Sequence, residues 1–309
     1  MNKLKIGSRI KRSRILKTWK QIGYRVEFIL LRLAIFVLRP MPPAIVRYWA
    51  SQLFILIQFR KKVADNNLSM IFPDLSKEGR RSILREMYRN LGYTGVESFI
   101  MKPAKVYKKM GVEGWDKVEN VLSEGKGVII ASGHLGNFEM AGRLMAHRNP
   151  LGVIVKKQHN PLFDKYANEQ REKDKCTIIQ EKNALRPVLR LLKKNGIVVI
   201  MTDQNARYRG YQLEFMGEKA STHISVAKIA IMTQTPIVMA GVYRNAAGYP
   251  LLKFTERIDV TSYEKNLNGY INLMQRILDA FGELVKENKE HWFWLHQRWR
   301  APEKGKMGD

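Results

Sequence analysis

A histidine and a glutamate stand five positions apart directly after a short apolar run. The run Val128-Ile129-Ile130 ends in Ser132-Gly133, His134 follows, and Glu139 opens an amphipathic stretch. An imidazole with one ring nitrogen bound by a carboxylate keeps a fixed tautomer, and its other nitrogen can accept a proton. The two residue types therefore predict general-base chemistry on a hydroxyl, with His134 as the base and Glu139 as the group that orients it.

The pair requires a strand, a tight turn and a helix in that order. β-Branched residues before the turn favour a buried strand, and helical periodicity begins after it. Five residues of continuous helix rotate by about 500°, so His134 can meet Glu139 only from a turn that precedes the helix. Gly133 and Gly136 permit such a turn, and its backbone N–H groups from Gly133 to Asn137 could bind a developing oxyanion. The ordinary structural alternative is a capping or core histidine.

The segment His134-Leu-Gly-Asn-Phe-Glu139 resembles the H-x-x-x-x-D/E signature of glycerolipid-type acyltransferases. Its glutamate is similar to the lipid A (lauroyl/myristoyl) acyltransferase family, because the glycerol-phosphate branch usually has aspartate at that position. Three later segments match this family in order, and the resemblance extends from the first apolar helix to Arg300. They are Asn160-Pro161 with Arg171, Thr202-Asp203-Gln204 followed by Phe215-Met-Gly217, and Trp294-Leu-His-Gln-Arg-Trp-Arg300.

The resemblance implies further site residues. Arg171 stands where the family has a functional arginine, and its guanidinium could bind a phosphate oxygen, with a solvated basic face as the alternative. Asp203 resembles the family's second acidic position and is expected at the same sheet edge as His134. There it would pair with Arg171 or bind the acceptor sugar, and an Asx-type turn residue is the alternative. Gly136 and Asn137 are also predicted to contact substrate.

Two residues nearer the C-terminus complete the predicted substrate site. Phe215 lies in the segment that the family has beside the acyl chain, so it is expected to line a hydrocarbon groove, with core packing as the alternative. Arg298 belongs to an aromatic and basic cluster, in which tryptophans favour membrane interfaces and arginines favour phosphates. The alternative is an aromatic plug on the core. The cluster comprises Trp292, Trp294, His296, Arg298, Trp299 and Arg300.

From Gly111 onward, apolar β-rich runs alternate with longer amphipathic stretches. This alternation predicts an α/β fold with a mostly parallel central sheet flanked by helices, preceded by an N-terminal membrane-associating helical region. The predicted strands are Gly127–Ser132, Leu151–Lys156, Thr177–Gln180, Ile197–Thr202, Ile237–Tyr243 and Leu251–Ile258. The predicted helices are Asn137–His147, Pro161–Lys173, Ala184–Lys194, Thr222–Thr233 and Leu267–Lys286.

The N-terminal region combines positive charge with apolarity. Residues 1–62 carry fifteen Lys and Arg and a single acid, Glu27. Two apolar helical stretches, separated by prolines 40, 42 and 43, are each shorter than the roughly 18–20 uncharged residues of a spanning helix. An interfacial position on an anionic membrane is therefore predicted, with an ordinary core helix pair as the alternative. The predicted domains are residues 1–62, an α/β acyltransferase domain at 63–300 and a frayed tail at 301–309.

The whole chain has 54 Lys and Arg against 28 Asp and Glu, a net charge of +26 that calls for an acidic partner. Its one cysteine, Cys176, excludes an intramolecular disulfide, and neither a metal nor a cofactor is predicted. The family resemblance implies acyl transfer from acyl carrier protein to a hydroxyl of a phosphorylated glucosamine-based lipid, a lipid A precursor. It implies direct transfer without an acyl-enzyme, at the cytoplasmic face of the cell inner membrane.

Three alternatives remain open from the sequence. An acyltransferase that uses acyl-CoA on another membrane glycolipid would keep the same chemistry. A nucleic-acid-binding protein agrees with the charge, but the sequence has no recognised binding motif, so no nucleic-acid partner is predicted. A metal-dependent hydrolase would use His134, Glu139, Asp203 and His223, yet the H-E-x-x-H spacing of such sites is absent.

Overall fold

A computed structural model of the protein describes residues 2–300, with side chains from Thr18 onward. A π-helix, Val96–Ile100, follows the fourth α-helix. The α-helices are α1 (Asn2–Leu38), α2 (Pro43–Ile57), α3 (Lys61–Ile71), α4 (Lys77–Gly95), α5 (Pro103–Tyr107), α6 (Trp115–Ser123), α7 (Phe138–Met145), α8 (Pro161–Lys173), α9 (Leu185–Lys193), α10 (Ser225–Thr233) and α11 (Leu267–Glu287). The strands are β1 (Gly111–Glu113), β2 (Val128–Ser132), β3 (Leu151–Val155), β4 (Cys176–Gln180), β5 (Ile197–Met201), β6 (Tyr211–Phe215), β7 (Glu218–Thr222), β8 (Ile237–Arg244) and β9 (Pro250–Ile258).

Seven strands form one sheet in the order β1-β9-β8-β2-β5-β3-β4. Neighbouring strands are parallel except for β8 and β9, which are antiparallel. The predicted α/β fold with a mostly parallel sheet is therefore confirmed. The predicted helix Pro161–Lys173 has the predicted ends, and the other predicted strands and helices occur with shifted ends. The sequence did not predict β1, the antiparallel direction of β9, or the separate hairpin of β6 and β7.

Helices cover both faces of the sheet. Successive side chains of a strand point to opposite faces, so Ile129 and Ala131 of β2 enter one apolar core while Val128 and Ile130 enter another. The first core includes buried side chains of α4, α10 and α11, and the second includes those of α6 and α7. Burial on both faces explains why β2 is apolar at nearly every position.

The register between β2 and β5 determines which residues meet beyond their ends. The two strands are parallel neighbours, and Ser132 lies opposite Met201. Residues that follow each strand by the same number of positions therefore emerge side by side at the carboxyl edge. Open α/β sheets bind their ligands at this edge.

Helices α1 and α2 expose most of the large apolar side chains that are accessible on the described surface. None of the helices within residues 2–300 combines the length and the apolarity needed to cross a membrane. The outer apolar surface is defined as Trp19, Ile22, Val26, Ile29, Leu30, Leu33, Phe36 and Val37 of α1 with Ile45, Tyr48, Trp49, Leu53, Leu56 and Ile57 of α2.

Arg32 of α1 and Arg39, which directly follows α1, contact later parts of the chain. The guanidinium of Arg32 lies 5.6 Å from the ring centroid of Tyr166 on α8, and Arg39 Nε donates to the carbonyl oxygen of Ile100 at 2.9 Å. Asn160, the N-cap of α8, donates from its side chain to the carbonyl oxygen of Tyr24 at 3.0 Å. These contacts attach α1 to the α/β part of the chain.

A buried charge cluster attaches α2 next to the turn that carries His134. Glu97 of the π-helix is fully buried; its Oε1 lies 2.8 Å from Arg244 Nη1 and 3.4 Å from Arg47 Nε of α2. Its Oε2 accepts from Asn137 Nδ2 at 2.9 Å. The guanidinium of Arg47 also lies between two tyrosine rings, with centroids 4.4 and 4.2 Å away. The cluster is therefore shared by α2, the π-helix, β8 and the residue before α7.

The division of the chain at residue 62 stays a prediction. Helix α3 (Lys61–Ile71) runs across that position, and α2 packs against α4. The predicted frayed tail, residues 301–309, lies outside the described residues.

Replacing Glu97 by glutamine is expected to destabilise the fold, because it leaves two buried arginines without their shared carboxylate. Removing one partner of a buried ion pair typically costs about 3–5 kcal/mol. Equilibrium urea denaturation measures the difference. Glu172→Gln, at an exposed position of α8, is the matched control, with an expected change of no more than about 0.5 kcal/mol. Equal stabilities of the two variants would contradict the structural role of Glu97.

Candidate active site

His134 lies on the turn between β2 and α7, at the carboxyl edge of the sheet. Since α7 begins at Phe138, the histidine precedes the helix, as the spacing predicted. Its side chain is 24% exposed, so the ring is accessible from one side. The ring of Phe138 lies edge-on at a centroid distance of 4.9 Å. The imidazole is thus neither a helix cap nor a core residue.

Asp203, and not Glu139, is the carboxylate bound to His134. Asp203 Oδ1 lies 2.9 Å from His134 Nδ1, and its Oδ2 accepts from the backbone N–H of His134 at 2.8 Å. Asp203 follows β5 by two residues, as His134 follows β2, so the strand register brings them together. The prediction that both lie at one sheet edge is confirmed. The expected partners of Asp203, Arg171 or a sugar, are replaced by the imidazole.

Glu139 points away from this pair, towards α8. Its carboxylate accepts from Arg171 Nε at 3.0 Å and from Arg171 Nη2 at 2.7 Å, and Arg171 Nη1 donates to Asn168 at 2.8 Å. The predicted orientation of His134 by Glu139 is therefore wrong in this structure, because the first turn of α7 directs the carboxylate to the neighbouring helix. The predicted phosphate site at Arg171 is likewise occupied by an internal ion pair.

The pairing sets the charge of both side chains. Burial disfavours the imidazolium, but the facing carboxylate and its hydrogen bond outweigh burial and raise the pKa of His134 above its ordinary value. Burial also disfavours ionised Asp203, yet the imidazole and the N–H donors of His134 and Trp292 hold the pKa of Asp203 well below its usual range. An ionised Asp203 requires Nδ1–H on the neutral ring, so Nε2 is the nitrogen that can accept a proton.

The turn itself is held by hydrogen bonds inside the protein. The backbone N–H of Leu135 donates to the carbonyl of Gly133 at 2.8 Å, and that of Gly136 donates to the carbonyl of His291 at 2.8 Å. With the His134 N–H on Asp203, these three groups are already bound in the structure. The expected oxyanion site along the whole turn is therefore not supported for these three N–H groups.

Gly136 and Asn137 have structural contacts where substrate contacts were predicted. Gly136 has φ of +60°, and a Cβ on it would lie 2.1 Å from the carbonyl oxygen of Val242, so only glycine fits. Asn137 is 1% exposed; its Oδ1 caps α7 by accepting from the N–H of Met140 at 3.1 Å. Both residues shape the turn that presents His134.

The segment after α11 closes over this turn. Trp292 Nε1 donates to Asp203 Oδ2 at 2.9 Å, and the N–H of Phe293 donates to the carbonyl of His134 at 3.1 Å. Trp292 and Trp294 are fully buried with ring centroids 4.6 Å apart. These two tryptophans therefore fit the alternative of an aromatic plug on the core. Trp292 also contacts the candidate active site through Asp203.

Arg298 and Phe215 are buried next to these tryptophans. Arg298 is fully buried and donates to the carbonyl of Ser221 and to Thr222 Oγ1, both at 2.6 Å. Burial lowers the pKa of Arg298 to about 10, and the nearby Asp203 charge opposes that shift only in part. Phe215 is also fully buried and stacks on Phe281 at 6.2 Å. Phe215 is directed inward by the hairpin of β6 and β7, and Arg298 binds that hairpin through Ser221 and Thr222. Both side chains are therefore buried where substrate contacts were predicted.

Gln204 is a site residue that the sequence did not single out. Its Nε2 lies 3.2 Å from His134 Nε2, on the free side of the ring, and the residue is exposed. Its position next to Asp203 was the available signal, because both follow β5. Trp292 was assigned to the aromatic and basic cluster, but its contact with Asp203, 89 positions away, had no signal in the sequence.

No group of three or more His, Cys, Asp or Glu side chains within the described residues is arranged to hold a metal ion. Among the four residues of the hydrolase alternative, the structure brings His134 and Asp203 together. Glu139 instead pairs with Arg171. His223 is exposed, and the charges that act on it include Glu181, Arg209 and Lys156.

A histidine paired with a carboxylate at the carboxyl edge of an α/β sheet is an arrangement that can accept and return a proton. The family match and the relatives reported next show that the protein is an acyltransferase. The model of the family described as bacterial lipid A biosynthesis acyltransferase matches residues 10–301. The chain therefore belongs to that family.

Two of the relatives bear names from lipid A biosynthesis, and a third is named a phosphatidylinositol mannoside acyltransferase. The chain is 24% identical over 249 residues to the lipid A biosynthesis palmitoleoyltransferase of Escherichia coli K12, covering 78% of this chain and 79% of the relative. It is 20% identical over 253 residues to the lauroyltransferase of the same organism, covering 80% and 81%. It is 22% identical over 196 residues to the phosphatidylinositol mannoside acyltransferase of Mycobacterium tuberculosis CDC 1551, covering 62% and 60%.

Among solved structures, the chain is similar to the 1-acyl-sn-glycerophosphate acyltransferase PlsC of Thermotoga maritima. The similarity has a TM-score of 0.41 and 15% sequence identity, and it covers 82% of this chain and 100% of that one.

The two carboxylates should differ in their effect on the pH dependence of activity. Because the raised pKa of His134 depends on Asp203, the wild-type rate should fall on the acid side at a pH above about 6.5, the ordinary histidine value. Asp203→Asn removes the charge that raises this pKa and leaves the effect of burial, so the acid limb should move to lower pH. The rate at the optimum should also fall, by about 10²-fold or more.

The measurement is kcat/KM against pH for the wild type, Asp203→Asn and Glu139→Gln. Glu139→Gln is the matched control, since that carboxylate pairs with Arg171, and its acid limb should coincide with that of the wild type. An acid limb that moved with Glu139→Gln and stayed in place with Asp203→Asn would reverse the assignment of partners.

Proposed function

We propose that this acyltransferase moves a fatty acyl chain from acyl carrier protein to a hydroxyl of a phosphorylated glucosamine-based lipid, a lipid A precursor. The reaction would occur at the cytoplasmic face of the cell inner membrane. The observation that supports the chemistry is the His134–Asp203 pair, 2.9 Å apart, with the second ring nitrogen on the accessible side. Family membership and the names of the relatives support the acceptor.

In the proposed reaction, His134 Nε2 takes the proton of the acceptor hydroxyl. The hydroxyl oxygen forms a bond to the thioester carbonyl carbon, and the carbonyl π electrons move to oxygen. When the tetrahedral intermediate collapses, the C–S bond breaks, and the imidazolium returns its proton to the leaving thiolate. Asp203 keeps the ring in the Nδ1–H tautomer and stabilises its charged form; such general-base assistance is typically worth about 10²–10⁴ in rate.

Transfer is direct in this proposal, without a covalent acyl-enzyme. The nearest hydroxyl in sequence, Ser132, is the last residue of β2 and is 5% exposed. The segment Ala131-Ser-Gly-His lacks the G-x-S-x-G pattern of a nucleophile elbow. Recovery of an acyl group on Ser132 after single turnover would contradict direct transfer.

Charge and apolarity support the proposed partners. The net charge of +26 favours both an acidic carrier protein and an anionic membrane. The outer apolar surface would enter the acyl boundary of a leaflet, as amphipathic interfacial helices do. Lying on the leaflet would bring the protein to its lipid acceptor, although none of its described helices could cross a membrane.

A second candidate has the same chemistry with other substrates, an acyl-CoA donor or another membrane glycolipid. The similarity to a phosphatidylinositol mannoside acyltransferase favours it. The chain's family membership replaces the nucleic-acid-binding and hydrolase hypotheses as accounts of the main activity.

Mass spectrometry of cellular lipid A tests the acceptor. Deleting the gene should remove one acyl chain from the lipid A of the host, since the proposed reaction adds one. The wild-type gene should restore the chain, and His134→Ala should not, because the base is missing. Unchanged lipid A after deletion would contradict the proposed acceptor. Purified enzyme with acyl carrier protein thioester in one arm and acyl-CoA in the other then separates the two donors.

Charged substitutions on the outer apolar surface should weaken membrane binding. Phe36 and Leu56 are 80% and 82% exposed, and burying each in a leaflet is worth about 1.5–3 kcal/mol. The double variant Phe36→Glu/Leu56→Glu should therefore sediment with anionic vesicles at least about tenfold less well than the wild type. Met232→Glu on α10, also exposed, is the control and should bind normally. Equal loss in the control would show a general charge effect instead.

A further inference from the structure

We propose that Gln204 is a further catalytic residue, which occupies the free nitrogen of His134 at rest and donates to the reacting oxyanion during transfer. This inference rests on the proposed function, because it concerns the same reaction. It starts from one contact on the accessible side of the imidazole, the 3.2 Å distance between Gln204 Nε2 and His134 Nε2.

The direction of this hydrogen bond follows from the other side of the ring. Asp203 requires a proton on Nδ1, so Nε2 of the neutral ring carries a lone pair and accepts. The group facing it is therefore the amide NH₂ of Gln204, a donor. The acceptor hydroxyl must take this position to transfer its proton, and it can do so only when the carboxamide moves aside.

The side chain of Gln204 can change its conformation while the backbone on both sides stays fixed. Asp203 on one side accepts three hydrogen bonds, from the backbone and ring of His134 and from Trp292. On the other side, Asn205 Nδ2 lies within hydrogen-bonding distance of the carbonyl oxygens of Gln297, Arg298 and Arg300. The backbone is thus fixed on both sides, while the Gln204 side chain is exposed.

Four other donors near the ring are already engaged. The N–H groups of His134, Leu135 and Gly136 bind Asp203 and backbone carbonyls, and the indole N–H of Trp292 binds Asp203. His296 Nε2 is an acceptor, since it receives the N–H of Asn205 at 2.9 Å. The displaced carboxamide of Gln204 is therefore an N–H donor that becomes available next to Nε2 when the hydroxyl binds.

The oxyanion that forms during acyl transfer is an acceptor for this N–H donor. As the hydroxyl oxygen bonds to the carbonyl carbon, negative charge develops on the thioester oxygen a few ångströms from Nε2. A neutral amide N–H at that position donates a hydrogen bond to the charged oxygen. The hydrogen bond weakens when the C–S bond breaks and the carbonyl forms again. Removing one such donor from an acyl-transfer site costs about 10²–10³ in kcat.

The test compares wild type, Gln204→Ala, His134→Ala and the control Gln212→Ala, an exposed glutamine on β6. The assay measures kcat and the acceptor KM with purified enzyme, an acyl thioester and a lipid A precursor in detergent micelles. Gln204→Ala should lower kcat by about 10²–10³, while the KM stays constant or falls, because the competing carboxamide is gone. Gln212→Ala should equal the wild type.

A second variant, Gln204→Glu, gives an independent readout. Its carboxylate cannot donate to an oxyanion, so kcat should fall as in Gln204→Ala. The same carboxylate next to Nε2 stabilises the imidazolium, so the acid limb of the pH profile should move to higher pH. An unshifted limb would mean that residue 204 does not face the imidazole in solution.

The outcomes separate the two proposals. If the wild type is active, His134→Ala is inactive and Gln204→Ala keeps full kcat, the role of Gln204 is overturned and the proposed function stands. A faster Gln204→Ala with a lower KM would reduce Gln204 to a competitor of the substrate and also overturns the inference. A wild type that transfers no acyl group, or an active His134→Ala, overturns the proposed function and the role of Gln204 with it.

Discussion

The hydrogen bond between His134 Nδ1 and Asp203 depends on the pairing of two parallel strands. Each residue follows its strand by two positions, and the register that aligns Ser132 with Met201 brings the side chains together. A shift of one residue would turn one side chain to the opposite face of the sheet. The apolar side chains of β2 and β5, buried in both cores, oppose such a shift. The packing of the core therefore also fixes the tautomer of the imidazole.

Local sequence patterns predicted much of the fold. The apolar run of β2 ends where the structure ends it, and Asn160-Pro161 starts α8 as a cap followed by proline should. The hairpin of β6 and β7 was missed although β6 alternates apolar and polar residues, because β7 does not and the turn around Met216 was interpreted as part of a groove. The antiparallel direction of β9 has no signature within the strand itself.

The site was predicted in part, for a physical reason. His134 was found because its residue type and its glycine-flanked turn are local features. Its partner was misassigned to Glu139, since nearness in sequence took the place of nearness in space. The carboxylate that binds the ring lies 69 positions away, and the register that brings it there depends on long-range pairing. Arg171 pairs with Glu139 and not with Asp203, the acid proposed as its partner.

Residues 292–300, which follow α11, are the last part of the candidate active site to be synthesised. Trp292 and Phe293 contribute a donor to Asp203 and a donor to the carbonyl of His134, although strands β2 and β5 are complete much earlier in the chain. A nascent polypeptide on the ribosome can therefore pair its central strands while the carboxylate still lacks its indole donor. The hydrogen bonds around His134 and Asp203 are therefore complete only after residues 292–300 have emerged.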